Sequence, residues 1–421
     1  MKTFATKILS VLTRLALWKF KPVIIGITGS VGKTSTKEAI TTVLQDRFIV
    51  RASSGNYNNE FGLPFTVLNQ DSPGKNPFAW AWLIITSLWM LKGGRYPQVL
   101  ILEMGSDKPG DIAYLLELTG PLDFAVVTDI GVSHMMNYPN LEALAKEKLT
   151  LAKGIKKTGL AVLNYDNNSI AQYVKSKQPN AITYGLDQEA DVAASELQIY
   201  DKDGVYGMNF KIKYGGTVMP ILLPNSLGRS NVYAALAAAS IGLSNGMNLV
   251  EISQALEKYK APAGRLRMLE GIKHTKIIDD TYNAAPASTS LALEVLTQVA
   301  KGRTVAALGG MAELGNQNEK GHRDVATKIQ ELGIKTVFLV GENAKIILDE
   351  LEKRHFSGTV KWFADSDAAR IPVQNEIREG DTILIKGSQS ARMEKIVKEI
   401  MAEPELAEKI LVRQSNYWLT H

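Results

Sequence analysis

Short apolar runs alternate with amphipathic stretches along almost the whole chain. Val23 to Ile27 has the length and composition of a buried parallel strand. Thr34 to Leu44 follows with helix-compatible apolar spacing. Phe48 to Ala52, Val99 to Leu102, Phe124 to Thr128 and Leu160 to Leu163 read as further strands. Asp111 to Leu118 and Leu141 to Ile155 read as helices between them. Val192 to Phe210 looks like hairpin sequence, with turns at Asp203-Gly204 and Gly215-Gly216. Helices follow at Val232 to Ser240 and Leu249 to Tyr259, and Ala261-Pro262-Ala263-Gly264 then marks a domain boundary. Beyond it the strands are Lys276 to Ile278, Thr304 to Leu308, Val337 to Val340, Val360 to Phe363 and Thr382 to Ile385. Helices at Ser288 to Val299, Gly321 to Glu331 and Ala344 to Leu351 separate them. That rhythm predicts a second α/β domain.

Two apolar stretches do not fit the strand–helix rhythm. Met1 to Lys21 resembles a signal peptide in hydropathy, but Arg14 interrupts the apolar core and no small-residue cleavage site is evident. It reads as an amphipathic helix that packs on the following domain; the alternative is a helix lying on a membrane surface. Pro77 to Leu91 carries Phe78, Trp80, Trp82 and Trp89 and is too short to span a bilayer. The plain expectation is a buried helix. A face turned to a membrane or a partner is the alternative, kept open by the clustered tryptophans.

Composition narrows the chemistry. The 421 residues suffice for two or three domains, and 45% are apolar, enough for sizeable cores. There is no cysteine, which excludes thiol catalysis, disulfides and thiolate metal sites. Basic residues exceed acidic ones by 48 to 43, too slight an excess to indicate nucleic acid.

The stretch that carries chemistry is Gly26-Ile27-Thr28-Gly29-Ser30-Val31-Gly32-Lys33-Thr34-Ser35. A glycine-bearing turn between strand and helix is the setting of a phosphate loop. Backbone N–H groups from Gly29 to Lys33 would cradle phosphate oxygens at the helix N-terminus. Lys33 would meet the β- and γ-phosphates of ATP, and the Thr34 hydroxyl would hold Mg²⁺. The bland alternative is a turn whose lysine caps a solvated face. Asn56-Tyr57-Asn58-Asn59, beside glycines and a proline, reads as a polar binding wall, since asparagine both donates and accepts; the alternative is a structural corner. Glu103 and His134 each leave the end of a strand, where a metal is well placed.

On these residues the chain resembles the Mur ligase family, over about residues 23 to 400. The phosphate loop, Asn56 to Pro64, Glu103-Met104-Gly105, Ile130-Gly131 with His134, and Gly264-Arg265-Leu266 match its motifs in order. So do Asp279 to Pro286, Leu308 to Gly315, and Lys386-Gly387-Ser388 with Arg392 and Glu394. The resemblance implies a central P-loop ATPase-like α/β domain with a mainly parallel sheet, followed by a Rossmann-like α/β C-terminal domain. The corresponding spans are 1–22 for the N-terminal helix, 23–262 and 263–421.

The resemblance also implies an activity. ATP would convert a carboxylate into an acyl phosphate, an amine would displace phosphate, and ADP and phosphate would be released. The later motifs match the member that joins D-alanyl-D-alanine to a UDP-N-acetylmuramoyl-tripeptide-like carboxylate. Lys33, Glu103, His134 and Lys148 are the implied catalytic residues. Thr34, Glu103, His134 and a carbamylated Lys148 are the implied Mg²⁺ ligands; Lys146 is the rival lysine. Gly29, Ser30, Gly32, Lys33, Thr34, Ser35, Arg265, Asn283 and Lys386 would contact ATP. Asn56, Asn58 and Asn59 would contact the carboxylate substrate.

There are departures. The family usually opens with a domain for the uridine nucleotide sugar, and here Met1 to Pro22 alone precede the first strand. Ser230 stands where the family often has histidine, and Gly310 where it has aspartate. The first departure leaves room for another carboxylate or amine, or for a partner protein supplying the missing domain. The resemblance sets the protein in the cytoplasm, with peripheral contact at the inner face of the membrane as an added reading. Outside ligation stand a nucleotide-controlled membrane scaffold and a simple kinase or ATP hydrolase.

Overall fold

The computed structural model describes residues 2–53, 57–131, 137–177, 180–202, 204–415 and 418. Asn56, His134 and Tyr417 therefore lie outside the described residues. The chain forms two compact units. The first comprises Met1–Leu197, Phe210–Ile221 and Ser230–Tyr259; the second comprises Gln198–Asn209, Leu222–Arg229 and Lys260–His421.

The first part of the chain runs α1 (Lys2–Phe20), β1 (Val23–Thr28), α2 (Lys33–Leu44), β2 (Val50–Ala52), α3 (Gly62–Leu68), α4 (Pro77–Lys92), β3 (Val99–Glu103), α5 (Asp111–Thr119) and β4 (Leu122–Val127). It continues with α6 (Leu141–Lys153), β5 (Ile155–Asn164), α7 (Asn168–Lys177), β6 (Ala181–Gly185), β7 (Val192–Lys202), β8 (Val205–Tyr214), β9 (Thr217–Pro224), α8 (Arg229–Ser244) and α9 (Leu249–Leu256). One sheet orders its strands β2-β3-β1-β4-β5-β6-β7-β8-β9. The pairs from β2 to β7 are parallel. Because β1 lies between β3 and β4, the chain leaves it in one direction for β2 and later returns on its other side. Such a reversal opens a crevice at the carboxyl ends of the strands.

The apolar runs take the places expected of them. Ile25, Ile27, Leu100 to Leu102, Val126 and Val127 are buried, as strands covered on both faces must be. Strand β5 begins earlier than the Leu160 to Leu163 run, because its polar start Ile155–Thr158 still pairs beside Leu122 before a register shift. Helix α1 packs into the first unit through Leu9, Leu12, Ala16 and Leu17. This is the expected amphipathic packing.

Helix α4 differs from the plain expectation. It is a helix, capped by Asn76, whose side chain accepts from the N–H groups of Phe78 and Ala79. Yet among its residues only Leu83 and Ser87 are buried. Periodicity could not reveal this, because a stretch apolar on all sides has no polar face to mark the outside.

The second unit adds β10 (Arg267–Glu270), β11 (Lys276–Asp280), α10 (Pro286–Val299), β12 (Thr304–Gly309), α11 (Asn318–Glu331), β13 (Thr336–Val340) and α12 (Lys345–Lys353). Then come β14 (Thr359–Phe363), α13 (Ser366–Glu376), β15 (Thr382–Lys386) and α14 (Glu394–Ile400). Its sheet has the order β10-β11-β15-β12-β13-β14, parallel except for β10. Apolar clusters line both faces.

The end of the chain is held by charge. The Glu394 carboxylate, fully buried, accepts from Arg392 at 2.7 Å and Arg413 at 2.8 Å. Arg413 also donates to the carbonyls of Thr281 and Tyr282, and Arg392 to that of Trp418. Glu394→Ala leaves two guanidiniums facing each other without their carboxylate. We expect it to cost the second unit about 3 kcal/mol or more, read as an earlier denaturant midpoint for its unfolding transition.

Candidate active site

The crevice of the first unit is built by three loops, which leave the neighbouring strands β1, β3 and β4. Gly29 to Gly32 follow β1. Two glycines with positive φ, Gly29 at 152° and Gly32 at 88°, give the loop its path. A side chain at Gly29 would place its Cβ 2.0 Å from Thr128 Oγ1, so only glycine fits. The loop is anchored to the segment after β4. Thr128 Oγ1 donates to the Val31 carbonyl at 2.6 Å, and Ser30 N donates to the Asp129 carbonyl at 2.8 Å. Ser30 Oγ both donates to the Gly131 carbonyl and accepts from the Gly131 N–H, each at 3.0 Å. A loop held this way keeps its shape before any anion arrives.

Lys33 opens helix α2, and its ammonium donates to the Gly29 carbonyl at 2.6 Å. The cation is thus folded back over the loop. Thr34 places its hydroxyl 3.3 Å and 3.5 Å from the two oxygens of Glu103. Glu103 ends β3, in register with Ile27 of β1, and is buried. Among the described residues no three His, Cys, Asp or Glu side chains gather as a metal site. The donors at hand are a buried carboxylate and a hydroxyl. Both are hard oxygen ligands and suit Mg²⁺.

Lys148 comes from α6, whose start is capped by Asn140 accepting from the Ala143 N–H. Leu144, Lys148 and Ala152 lie at successive four-residue steps and are all buried, so Lys148 occupies a core position on the helix. Lys146 is exposed. Lys148 is 1% exposed, and its Nζ donates to Ser106 Oγ at 3.2 Å. Burial, then the nearby Lys33 cation, push its ammonium down from 10.5 to about 7, against the pull of Glu147, Asp107 and Asp129. Asp129 is shifted upward by burial, partly offset by the Asn167 amide at 2.8 Å.

The loop beneath Lys148 is fixed by Glu147. Its carboxylate accepts from the N–H groups of Gly110 and Ile112 at 2.9 Å and 2.8 Å, at the start of α5. Adjacent positions on α6 thus divide the work: Glu147 holds the loop and Lys148 meets its Ser106.

Of the asparagine wall, Tyr57, Asn58 and Asn59 are described. The Asn58 carbonyl accepts from the Gly105 N–H at 2.8 Å, which sets the segment against the loop after β3. The Asn59 side-chain oxygen accepts from the N–H groups of Phe61 and Gly62 at 3.2 Å and 3.0 Å. That oxygen shapes the turn into α3.

In the second unit, Asp279 is fully buried and accepts from the Gly264 N–H at 3.0 Å and from Thr281 Oγ1 at 2.6 Å. Burial raises it from 3.8 to about 6, partly offset by these hydrogen bonds. Arg265 lies 3.9 Å from the centre of the Tyr282 ring. Lys386 is buried, and its ammonium donates to Asp280 Oδ2 at 2.6 Å and to the Asn283 carbonyl at 2.9 Å. Lys386 therefore holds the segment that carries the exposed Asn283, and Asp280 balances its charge.

Sequence reasoning singled out Lys33, Thr34, Glu103 and Lys148, and these four stand on one crevice. It passed over Ser106, Asp129 and Thr128. Ser106 directly follows the Glu103-Met104-Gly105 segment, and Asp129 lies in the loop that carries Gly131.

Residues 27–242 match the Mur ligase middle domain, and residues 264–389 match the glutamate ligase domain of Mur ligases. The chain is 30% identical over 382 residues to the UDP-N-acetylmuramoyl-tripeptide–D-alanyl-D-alanine ligase of Bacillus subtilis, covering 90% of this chain and 76% of that protein. It is 30% identical over 399 residues to the enzyme of that name from Escherichia coli, covering 92% and 79%. The fold superposes on the MurF ligase of Thermotoga maritima in complex with ADP, with a TM-score of 0.79 at 23% identity, covering 95% of this chain and 84% of that one. Two family models matched in their order along the chain, and relatives at this identity over most of its length, establish that the chain belongs to the Mur ligase family.

Proposed function

We propose that the protein is an ATP-dependent amide ligase that joins D-alanyl-D-alanine to a UDP-N-acetylmuramoyl-tripeptide-like carboxylate. The substrates follow the names of its relatives. The observation that carries the chemistry is the meeting of a preformed anion loop, a buried carboxylate and a buried lysine of lowered basicity in one crevice.

A carboxylate and an amine do not condense at neutral pH, because oxide is a poor leaving group. In the proposed reaction a carboxylate oxygen bonds to the γ-phosphorus of ATP, and the bridging oxygen leaves with ADP. The amine then attacks the acyl carbon, loses a proton, and phosphate departs. The N–H groups of Gly29 to Lys33 and the Lys33 ammonium offset charge on the transferred group. Ser30 and Ser35 belong to the same loop and helix start. Glu103 and the Thr34 hydroxyl would hold Mg²⁺, which supplies positive charge to the phosphates. Lys148 as a carbamate would add hard oxygens there; His134 is the remaining candidate ligand. Asn56 and Asn58 are assigned to the carboxylate substrate, and Asn59 to shaping their loop. Arg265 and Asn283 are the second unit's nucleotide contacts, with Lys386 acting by positioning Asn283. This reading places the reaction on the cytoplasmic side of the membrane.

The test is a ligation assay with the tripeptide precursor and D-alanyl-D-alanine. We expect ADP and phosphate in step with the amide. AMP and pyrophosphate would reject the acyl-phosphate route. Turnover with another carboxylate or amine alone would reject the substrate assignment. ATP hydrolysis indifferent to any amine would reject ligation.

A further inference from the structure

Two helices of the first unit turn an apolar face outward. Helix α1 buries Leu9, Leu12, Ala16 and Leu17 but exposes Leu15 and, at 75%, Trp18. On α4, Phe78, Trp82, Ile85 and Trp89 recur at helical spacing along one stripe, exposed by 85%, 64%, 57% and 73%. Soluble surfaces rarely leave such a row of large rings uncovered. The helices pack on one another, and the Lys19 ammonium donates to the Leu91 carbonyl near the ends of both. The two stripes therefore belong to one neighbourhood of the surface. None of these residues takes part in the ligation chemistry.

The charge on the two helices themselves has one sign, although Asp71 precedes α4 and Glu117 is exposed on α5, which packs against α1. No aspartate or glutamate occurs from Met1 to Lys37, or from Ser72 to Leu102. Arg14, Lys19, Lys92 and Arg95 are exposed on or beside the two helices. Among the described residues no helix is long and apolar enough to cross a membrane. An apolar, tryptophan-bearing face whose two helices carry only cations suits the headgroup layer of an anionic bilayer, where rings lie among glycerol and acyl groups and cations meet phosphates. A protein partner would have to present a surface both apolar and acidic to match as well.

We propose that the outer faces of α1 and α4 dock the protein on an anionic lipid surface, in the plane of the membrane. The proposal does not rest on the ligase reading.

The experiment floats the full chain with vesicles of phosphatidylcholine, alone or mixed with phosphatidylglycerol. Deleting Lys2 to Ala16 would remove core residues, so surface substitutions are the proper variants. The expected result is flotation with the mixed vesicles, weakened by salt. The variant Trp18→Gln/Trp82→Gln/Trp89→Gln should lose binding by about tenfold or more, as should Arg14→Gln/Lys92→Gln/Arg95→Gln. Both should keep the parent's melting temperature and its ADP formation without vesicles. No flotation with mixed vesicles, or equal flotation of parent and both variants, overturns the proposal. So does self-association by ultracentrifugation that the tryptophan variant abolishes while lipid binding is absent; the face would then join two copies.

Discussion

Replacing Lys33 with alanine is expected to lower the rate of ADP formation by about 10³-fold, judged from the loss of a positioned charge at a transferring phosphoryl group. The ammonium lies against the Gly29 carbonyl at 2.6 Å, so it is already at the loop that would hold the phosphates. The remaining N–H groups still attract an anion through the start of α2. ATP affinity should therefore fall less than turnover, and the split between the two is the measurement. A second effect travels through charge. Lys33 is one cause of the lowered basicity of Lys148. Removing it lets Lys148 hold its proton to higher pH. Lys33→Ala and Lys148→Ala should then combine to less than the product of their separate losses, as for coupled neighbours. Near-normal turnover of Lys33→Ala, with the loop intact, would remove the phosphate role.

The parts of this site that lie close together in sequence were legible from it. The strand, the glycine turn and the helix from Val23 to Leu44 form a local unit, and each announces the next. Glu103 is marked by its place at a strand end, because parallel strands deliver such ends to one edge. What joins the loops was not legible. The contact of Thr128 with the Val31 carbonyl depends on β4 lying beside β1, and no local pattern states strand order. The burial of Lys148 was readable in principle, since it falls between Leu144 and Ala152 on the buried stripe of α6. A solvent-facing lysine would have occupied the position Lys146 takes. Its partner Ser106 comes from a loop that only the fold brings there. Helix α4 shows the opposite case. Its composition suggests the inside of the protein, and its fold position leaves most of it outside, because α1 and Phe65 of α3 meet only one side of it.

Lys148→Ala should reduce ligation by about 10²-fold or more while leaving the fold and most of the nucleotide affinity in place. The reasoning starts from the amine. A lysine buried at 1% exposure beside another cation is expensive to keep charged. Its folded value of about 7 lies below the 10.5 of an exposed lysine. Between those limits the unfolded chain binds a proton that the folded one does not, so stability from this group rises with pH across that window and is absent below it. The neutral amine is also the form that adds carbon dioxide: a nitrogen–carbon bond forms, a proton goes to solvent, and a carbamate results. The modification should therefore be favoured above about pH 7 and lost below it. Ligation should decline through the same range while nucleotide binding, held by the loop N–H groups, declines less. Labelled carbon dioxide gives an independent readout, a carbamate carbon signal present in the parent and missing in Lys148→Ala. A small carboxylic acid supplied to the alanine variant would fill the vacated space and should restore part of the rate. Substitution of the exposed Lys146 should do neither harm nor good. Normal turnover of Lys148→Ala, or a parent whose labelled carbon never appears at any pH while ligation proceeds, would show that this lysine is a buried neutral amine and nothing more.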